Sequence, residues 1–384
     1  MDKMQITPTI VSDVKCWLLF KKKENEYCLG SLSTNNFIKL YEYQIEDVNK
    51  MIYLMDGNNT LEFIDKQIKS FQVKNLFDVM CSIGLIQGYE SQKKKNEFEL
   101  YSFTFFKIPL YKMNKFLCAL SSKIINRKIL IIISMIMLII CIVFFKNIPY
   151  LMTSPTTYKL LDSDILNIIL YYLLTIVSVL LHELSHALVA SRYNIYPTYF
   201  SGALYLYISP IVYLTIPGIY TRQPKERIYV WGAGMYTNLL VSMISLLLFS
   251  LNNNNLAALI FVINITLVMV NLSPMMPLDG YFIVCTLLRE TNMRRQFLHP
   301  FDKNVWSNSS ILIKLYTFSS FLLIISVLLT QCIWLFKFIS SAYEHNTDVI
   351  SFFIDIKLVI LVILVMIISR VIKLGAKKYG SFDV

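Results

Sequence analysis

The pentad His-Glu-Leu-Ser-His at 182–186 contains the residues of this sequence whose types and spacing could do chemistry. The chain has four histidines, and two of them, His182 and His186, lie four positions apart. On a helix these positions share one face, so both imidazoles can bind one metal ion. Glu183 lies beside them, where a general base for a water on a zinc ion belongs. The spacing therefore predicts a zinc-dependent hydrolytic site.

A third zinc ligand is predicted at Asp279, in the segment Asn-Leu-Ser-Pro-Met-Met-Pro-Leu-Asp-Gly at 271–280. Zinc at a catalytic site typically takes three protein ligands and leaves one position for water. Glu183 is the only carboxylate in the four apolar spans predicted between 129 and 274, and Asp279 is the first one after them. The two prolines of the segment interrupt the helix and let the chain turn the aspartate towards the metal, and Gly280 permits a tight turn. We expect one zinc ion per chain, bound by Asp279 and the two histidines.

The elements that must position these residues are membrane helices. Of the 384 residues, 55% are hydrophobic and only 16% are charged, whereas a soluble protein carries about 25% charged residues. The net charge of +11 indicates the positive-inside bias of membrane proteins rather than nucleic acid binding, because the basic residues cluster beside apolar segments. The seven cysteines form no Cys-x-x-Cys pair, which argues against a thiolate zinc site or a disulfide framework.

Six apolar segments are predicted to cross a bacterial cytoplasmic membrane, which places both termini on one side. The loops on that side carry most of the basic residues, whereas the opposite loops carry only Lys146, Lys159 and Lys337. The positive-inside rule therefore predicts that both termini are cytoplasmic. The apolar stretch 203–219 contains two prolines and is expected to be a re-entrant or hairpin segment. The predicted spans are 129–145, 165–190, 228–250, 256–274, 311–336 and 353–372.

Residues 1–90 are predicted to form a separate cytoplasmic domain. Three strand candidates precede three helices whose apolar residues recur every three or four positions, and Thr60 is the expected N-cap of the middle helix. Their order and size predict a small α+β winged-helix-like domain. Residues 91–128 combine a charged linker with an aromatic stretch, 103–116, that we expect to lie along the membrane surface. The strand candidates are 16–20, 27–32 and 37–41, and the mainly α, polytopic transmembrane domain is predicted to cover 129–384, with its core in 165–290.

Two motifs of this chain resemble those of the site-2 protease family of intramembrane zinc metallopeptidases. They are HELSH at 182–186 and NLSPMMPLDG at 271–280, and the resemblance covers roughly residues 165–290. It implies that the two histidines and Asp279 bind zinc and that Glu183 activates a water molecule.

The same family has a Gly-Pro-x-x-Asn element on the intervening span. In this chain Gly234 and Asn238 fit that element, and Met235 replaces the proline. The resemblance implies that Asn238 steadies the substrate or the oxyanion, although an asparagine at this position can also bond between helices. Asn271 is a second candidate for the same role.

The N-terminal domain resembles the PqqD-like winged-helix recognition elements of ribosomal peptide biosynthesis, in a stretch that runs from 52–61 to 84–86. The resemblance implies that this domain holds a leader peptide by adding it as a strand to its own sheet.

Together these features predict an intramembrane zinc metalloendopeptidase that cleaves a membrane-associated or ribosomally made peptide of the bacteriocin type. Within the enzyme class, the alternative substrate is a single-span regulator such as an anti-sigma factor. From a different class, the alternative is a peptide transporter or immunity protein that binds peptide without catalysis. The expected partners are the substrate, the lipid bilayer, and a modifying enzyme or exporter of the same peptide pathway.

Overall fold

A computed structural model describes residues 3–290, with gaps at 23, 35, 69–70, 90–101, 154–159, 206–208 and 273–277, together with 293, 311–319, 322 and 325. This part of the chain is mainly helical and carries a small sheet domain at its N-terminus. It divides into two compact units. The larger comprises Met1–Asn96, Phe106–Gly202 and Val212–Thr291 and contains the N-terminal domain and the candidate site; the smaller comprises Glu97–Phe105, Ala203–Ile211 and Asn292–Val384.

The N-terminal domain consists of an antiparallel three-stranded meander followed by three helices, as the sequence predicts. Leu29 of the central strand, Met51 and Phe77 are buried in one apolar core shared by the sheet and the helices. The Thr60 side chain accepts a hydrogen bond from the Phe63 N–H, which confirms it as an N-cap. The strands are β1 (Lys15–Phe20), β2 (Glu26–Ser31) and β3 (Asn36–Tyr41), and the helices are α1 (Ile45–Leu54), α2 (Leu61–Gln67) and α3 (Val73–Ser82).

Three helices of the described chain are long and apolar enough to cross a membrane: Leu166–Arg192, Pro224–Asn252 and Asn255–Leu272. The adjoining pair Tyr111–Ile124 and Arg127–Val143 is bent by 66° and would make a fourth span if it is one broken segment. Within residues 102–290 the described α-helices are α4 (Asn114–Ile124), α5 (Arg127–Val143), α6 (Asn147–Thr153), α7 (Asp164–Arg192), α8 (Pro224–Asn252), α9 (Asn255–Leu272) and α10 (Asp279–Leu287).

The prediction of six spans reaches into residues beyond this set. The predicted span 311–336 is described as a helix only over 311–319, and the span 353–372 lies outside the described residues. The coarser expectation, a helical protein with several apolar helices of membrane-spanning length, is confirmed.

A second sheet, of order β4-β5-β6, includes parts of two stretches, 103–116 and 203–219. The sequence predicted that the first lies along the membrane surface and that the second is a re-entrant or hairpin segment. The aromatic stretch 103–116 begins as a strand, and the stretch 203–219 contains most of two neighbouring strands. Backbone bonds of 2.9 Å from Leu110 to Thr198 and from Thr198 to Thr215 continue this pairing. Such pairing depends on partners far apart in the chain, which periodicity alone does not reveal. The strands are β4 (Ser102–Pro109), β5 (Tyr199–Tyr205) and β6 (Ser209–Thr215).

Arg227, in the first turn of α8, fixes the N-terminal domain to the helical part of the larger unit. Its side chain is fully buried, and Nη2 donates to the Leu19 carbonyl of β1 at 2.8 Å and to the Tyr220 carbonyl at 2.9 Å. The guanidinium also lies over the rings of Phe20 and Tyr220, 5.1 and 5.6 Å from their centroids. The bond to Leu19 and the contact with Phe20 reach the N-terminal domain. Because a hydrogen bond to a charged group contributes about 1.5–3 kcal/mol, this side chain ties the two parts together.

Candidate metal centre

Two histidines of α7 and the first residue of α10 meet at one point. His182 Nε2 lies 3.0 Å and His186 Nε2 lies 3.2 Å from the same oxygen, Oδ2 of Asp279. The three candidate ligand atoms lie within 4.8 Å of one another. All three side chains are almost entirely buried. The structure thus brings together the ligand set that the sequence predicts, and this group could hold a metal ion.

The two nitrogen–oxygen separations are close to those of ligands around a metal. Nitrogen and oxygen ligands at about 2.1 Å from a tetrahedral zinc are about 3.4 Å apart, close to the 3.0 and 3.2 Å found here. Neither imidazole presents an N–H to Oδ2 of Asp279 in hydrogen-bonding geometry, so this buried oxygen is left without a donor. A buried carboxylate oxygen without a donor is costly. A cation between the three atoms would satisfy it, and the residues therefore fit a metal.

The far side of each imidazole is held by α8. His186 Nδ1 lies 2.7 Å from the carbonyl oxygen of Val230. A carbonyl only accepts, so this Nδ1 must carry the ring proton, which leaves the Nε2 lone pair free for a metal.

His182 Nδ1 lies 3.1 Å from the side-chain amide of Asn238. That amide is buried, and its Oδ1 has no hydrogen-bond partner among the described residues. The nitrogen and oxygen of an amide exchange places by a half rotation. With Oδ1 turned towards His182, the amide accepts the Nδ1 proton and leaves Nε2 free for a metal, as at His186.

Two glycines provide the space that this packing needs. A Cβ at Gly234 would lie 2.4 Å from Cε1 and Nε2 of His182, so only glycine lets the imidazole lie against α8. A Cβ at Gly280 would lie 2.5 Å from the carbonyl oxygen of Asn271, so glycine also lets the start of α10 approach the end of α9. Gly232 differs, because its nearest contact would be Ile283 Cδ1 at 4.0 Å.

The helix ends fix where these groups lie. Pro224 begins α8, and a capping box joins Gln223 to Glu226, which sets the register of Val230 and Gly234 further along. A bond of 3.0 Å from Asn264 of α9 to Ser178 of α7 joins the two helices one turn before His182.

Glu183 lies beside the metal group, half-buried on α7. The backbone N–H of Leu214 in β6 lies near its carboxylate, which also interacts electrostatically with all three candidate ligands. The backbone of β6 is therefore part of the site, a contribution that the sequence analysis did not anticipate.

The remaining predicted residues have different surroundings. Asn238 contacts His182, and its proposed contact with substrate stays a prediction. The Asn271 side chain donates to the Leu267 carbonyl of its own helix at 3.0 Å, and its proposed substrate role also stays a prediction. Pro274 and Pro277, expected to turn the chain towards the metal, lie outside the described residues.

Comparison with protein-family models, with curated proteins and with solved structures finds no match to this chain. The site is therefore interpreted from its own geometry.

Proposed function

We propose that this chain is a zinc-dependent endopeptidase that acts within a membrane. One observation carries the proposal: two imidazole nitrogens of a helix long and apolar enough to cross a bilayer converge with the carboxylate oxygen of Asp279 beside a glutamate. Ionisable groups are rare in such helices and are usually functional. Two histidines with one carboxylate are a ligand set of catalytic zinc.

Zinc, when bound, would polarise the peptide carbonyl and acidify a water molecule. Glu183 would take a proton from that water and pass it to the departing amine. The backbone N–H of Leu214 lies near the Glu183 carboxylate. Val230 and Asn238 contact the Nδ1 atoms of the two imidazoles, which leaves both Nε2 atoms available for a metal.

The proposed substrate is a ribosomally made peptide that is cleaved during maturation or export. The N-terminal domain supports this proposal, because its sheet has two edges and only one of them, β1, is joined to the helical part by Arg227. The other edge, β3, would accept an extended leader peptide as an added strand. In this proposal the N-terminal domain is cytoplasmic, and a modifying enzyme or exporter of the same peptide would work beside it.

A pair of variants tests the proposed activity. Glu183→Gln preserves the size of the side chain but removes the base, so it should retain zinc and peptide binding while cleavage falls by at least about 10²-fold. Asp279→Ala should lose both zinc and cleavage. The assay is mass spectrometry of short precursor peptides, taken from the reading frames beside this gene and co-expressed with each variant. Cleavage that persists at the wild-type rate in Glu183→Gln would refute the proposal.

A further inference from the structure

An apolar cavity of about 240 Å³ opens beside Glu183. One wall is the face of α7 formed by Leu180, Leu184 and Ala187, and the opposite wall includes Leu117 of α4. Glu183 is the one polar side chain among the residues that line this cavity. The candidate base of the reaction is thus also part of the wall of an otherwise apolar cavity.

The position of Glu183 decides which part of a substrate would enter the cavity. In the proposed mechanism this carboxylate passes its proton to the departing amine, so the side of the site next to Glu183 is the side of the leaving group. The adjacent strand β6 contributes Leu214, whose backbone N–H lies near Glu183 and which also lines the cavity. A substrate residue placed for proton transfer would therefore have its side chain at the cavity mouth.

We infer that this cavity is the specificity pocket for the residue on the leaving-amine side of the cleaved bond, and that it selects a large aliphatic or aromatic side chain. This inference rests on the proposed function and adds the substrate class. An apolar cavity of about 150 Å³ is known to hold benzene, so 240 Å³ accommodates a leucine or phenylalanine side chain. A charged side chain would lose its hydration there without a counter-charge.

Peptidyl hydroxamates test the pocket without requiring turnover. The hydroxamate group binds zinc directly, and its neighbouring side chain would enter the cavity. Three probes that differ only in that side chain, namely methyl, isobutyl and carboxymethyl, are titrated into the zinc-loaded full chain in lipid nanodiscs. Because each buried methylene contributes about 0.8 kcal/mol, isobutyl should bind roughly 10- to 50-fold more tightly than methyl. Carboxymethyl should bind more weakly than methyl.

A wall substitution then shows that the preference arises in this cavity. Leu117→Ala enlarges the cavity, so the affinity ratio of a naphthylmethyl probe to the isobutyl probe should rise about fivefold. Met113→Ala is a second variant for the case that Leu117→Ala folds poorly. Met113 also lines the cavity but is more exposed, and its substitution should shift the affinity ratio in the same direction. Phe116→Ala is the matched control, because Phe116 is an exposed apolar residue of the same helix that is not part of the cavity wall.

The outcomes separate this inference from the proposed function. Equal affinities for methyl and isobutyl, or an equal shift in Phe116→Ala, would overturn the pocket while leaving the zinc site intact. If no hydroxamate binds the zinc-loaded protein, the proposed function fails and the pocket fails with it.

Discussion

Gly234→Ala tests how the metal centre is built. The added Cβ would lie 2.4 Å from Cε1 and Nε2 of His182, whereas carbon atoms in contact are about 3.5–4.0 Å apart. The imidazole must therefore move by about 1 Å, or α8 must move away from it. Metal–ligand distances tolerate only about 0.2 Å, so neither response preserves the site. The affinity for zinc should fall by about 10- to 100-fold or more.

The assay is a competition between the purified protein and a chromophoric zinc chelator. Thermal unfolding is measured separately, because the substitution can also change the stability of the folded protein. Overpacking lowers that stability by about 1–3 kcal/mol, and the higher helix propensity of alanine offsets about 1 kcal/mol of this loss. Gly232→Ala is the matched control, because it makes the same change two positions away and its Cβ would meet nothing closer than 4.0 Å. Wild-type zinc affinity in Gly234→Ala would refute the packing of His182 against α8.

Two further predictions concern the N-terminal domain. Arg227→Met removes the donors to the Leu19 and Tyr220 carbonyls, so limited trypsin digestion should release residues 1–90 at least about tenfold faster. Arg222→Met is the control and should not change the rate, because among the described residues its side chain bonds only to the Asn194 carbonyl. Equal rates in both variants would contradict the role of Arg227 in holding the N-terminal domain. Burial raises the pKa of the Cys16 thiol to about 11, so the thiol is neutral at pH 8. Its rate of alkylation, followed by peptide mass spectrometry, should rise about tenfold per pH unit up to pH 10. A rate that levels off above about pH 9.5 would show an unperturbed thiol with a pKa near 8.5.

Side-chain spacing was sufficient to predict the three residues that the structure brings together. The interval between His182 and His186 defines one helical face, and Asp279 is the first carboxylate after the four apolar spans predicted between 129 and 274. The strands and helices of the N-terminal domain could also be predicted, because each shows its own apolar periodicity within a short stretch of sequence.

The contacts that support the candidate ligands could not be predicted from the sequence. The Val230 carbonyl that orients His186 belongs to the backbone, which has no side-chain signature, and Gly234 could have served only for close helix packing. In the sequence, Arg227 is one of many basic residues in the loops predicted to be cytoplasmic. In the structure it is fully buried, and it bonds to Leu19 of a strand far away in the chain. Each of these contacts depends on which surface of α8 faces the rest of the protein, and the nearly uniform apolarity of a membrane helix does not encode that choice.

The most direct test of the metal centre combines elemental analysis with zinc-edge X-ray absorption on the purified full chain. The proposed site should hold one zinc per chain, bound by two imidazole nitrogens and otherwise by oxygen at about 2.0–2.2 Å, and should lose that zinc in both His186→Ala and Asp279→Ala. Protein without stoichiometric metal, or zinc bound to sulfur at about 2.3 Å, would contradict this proposal.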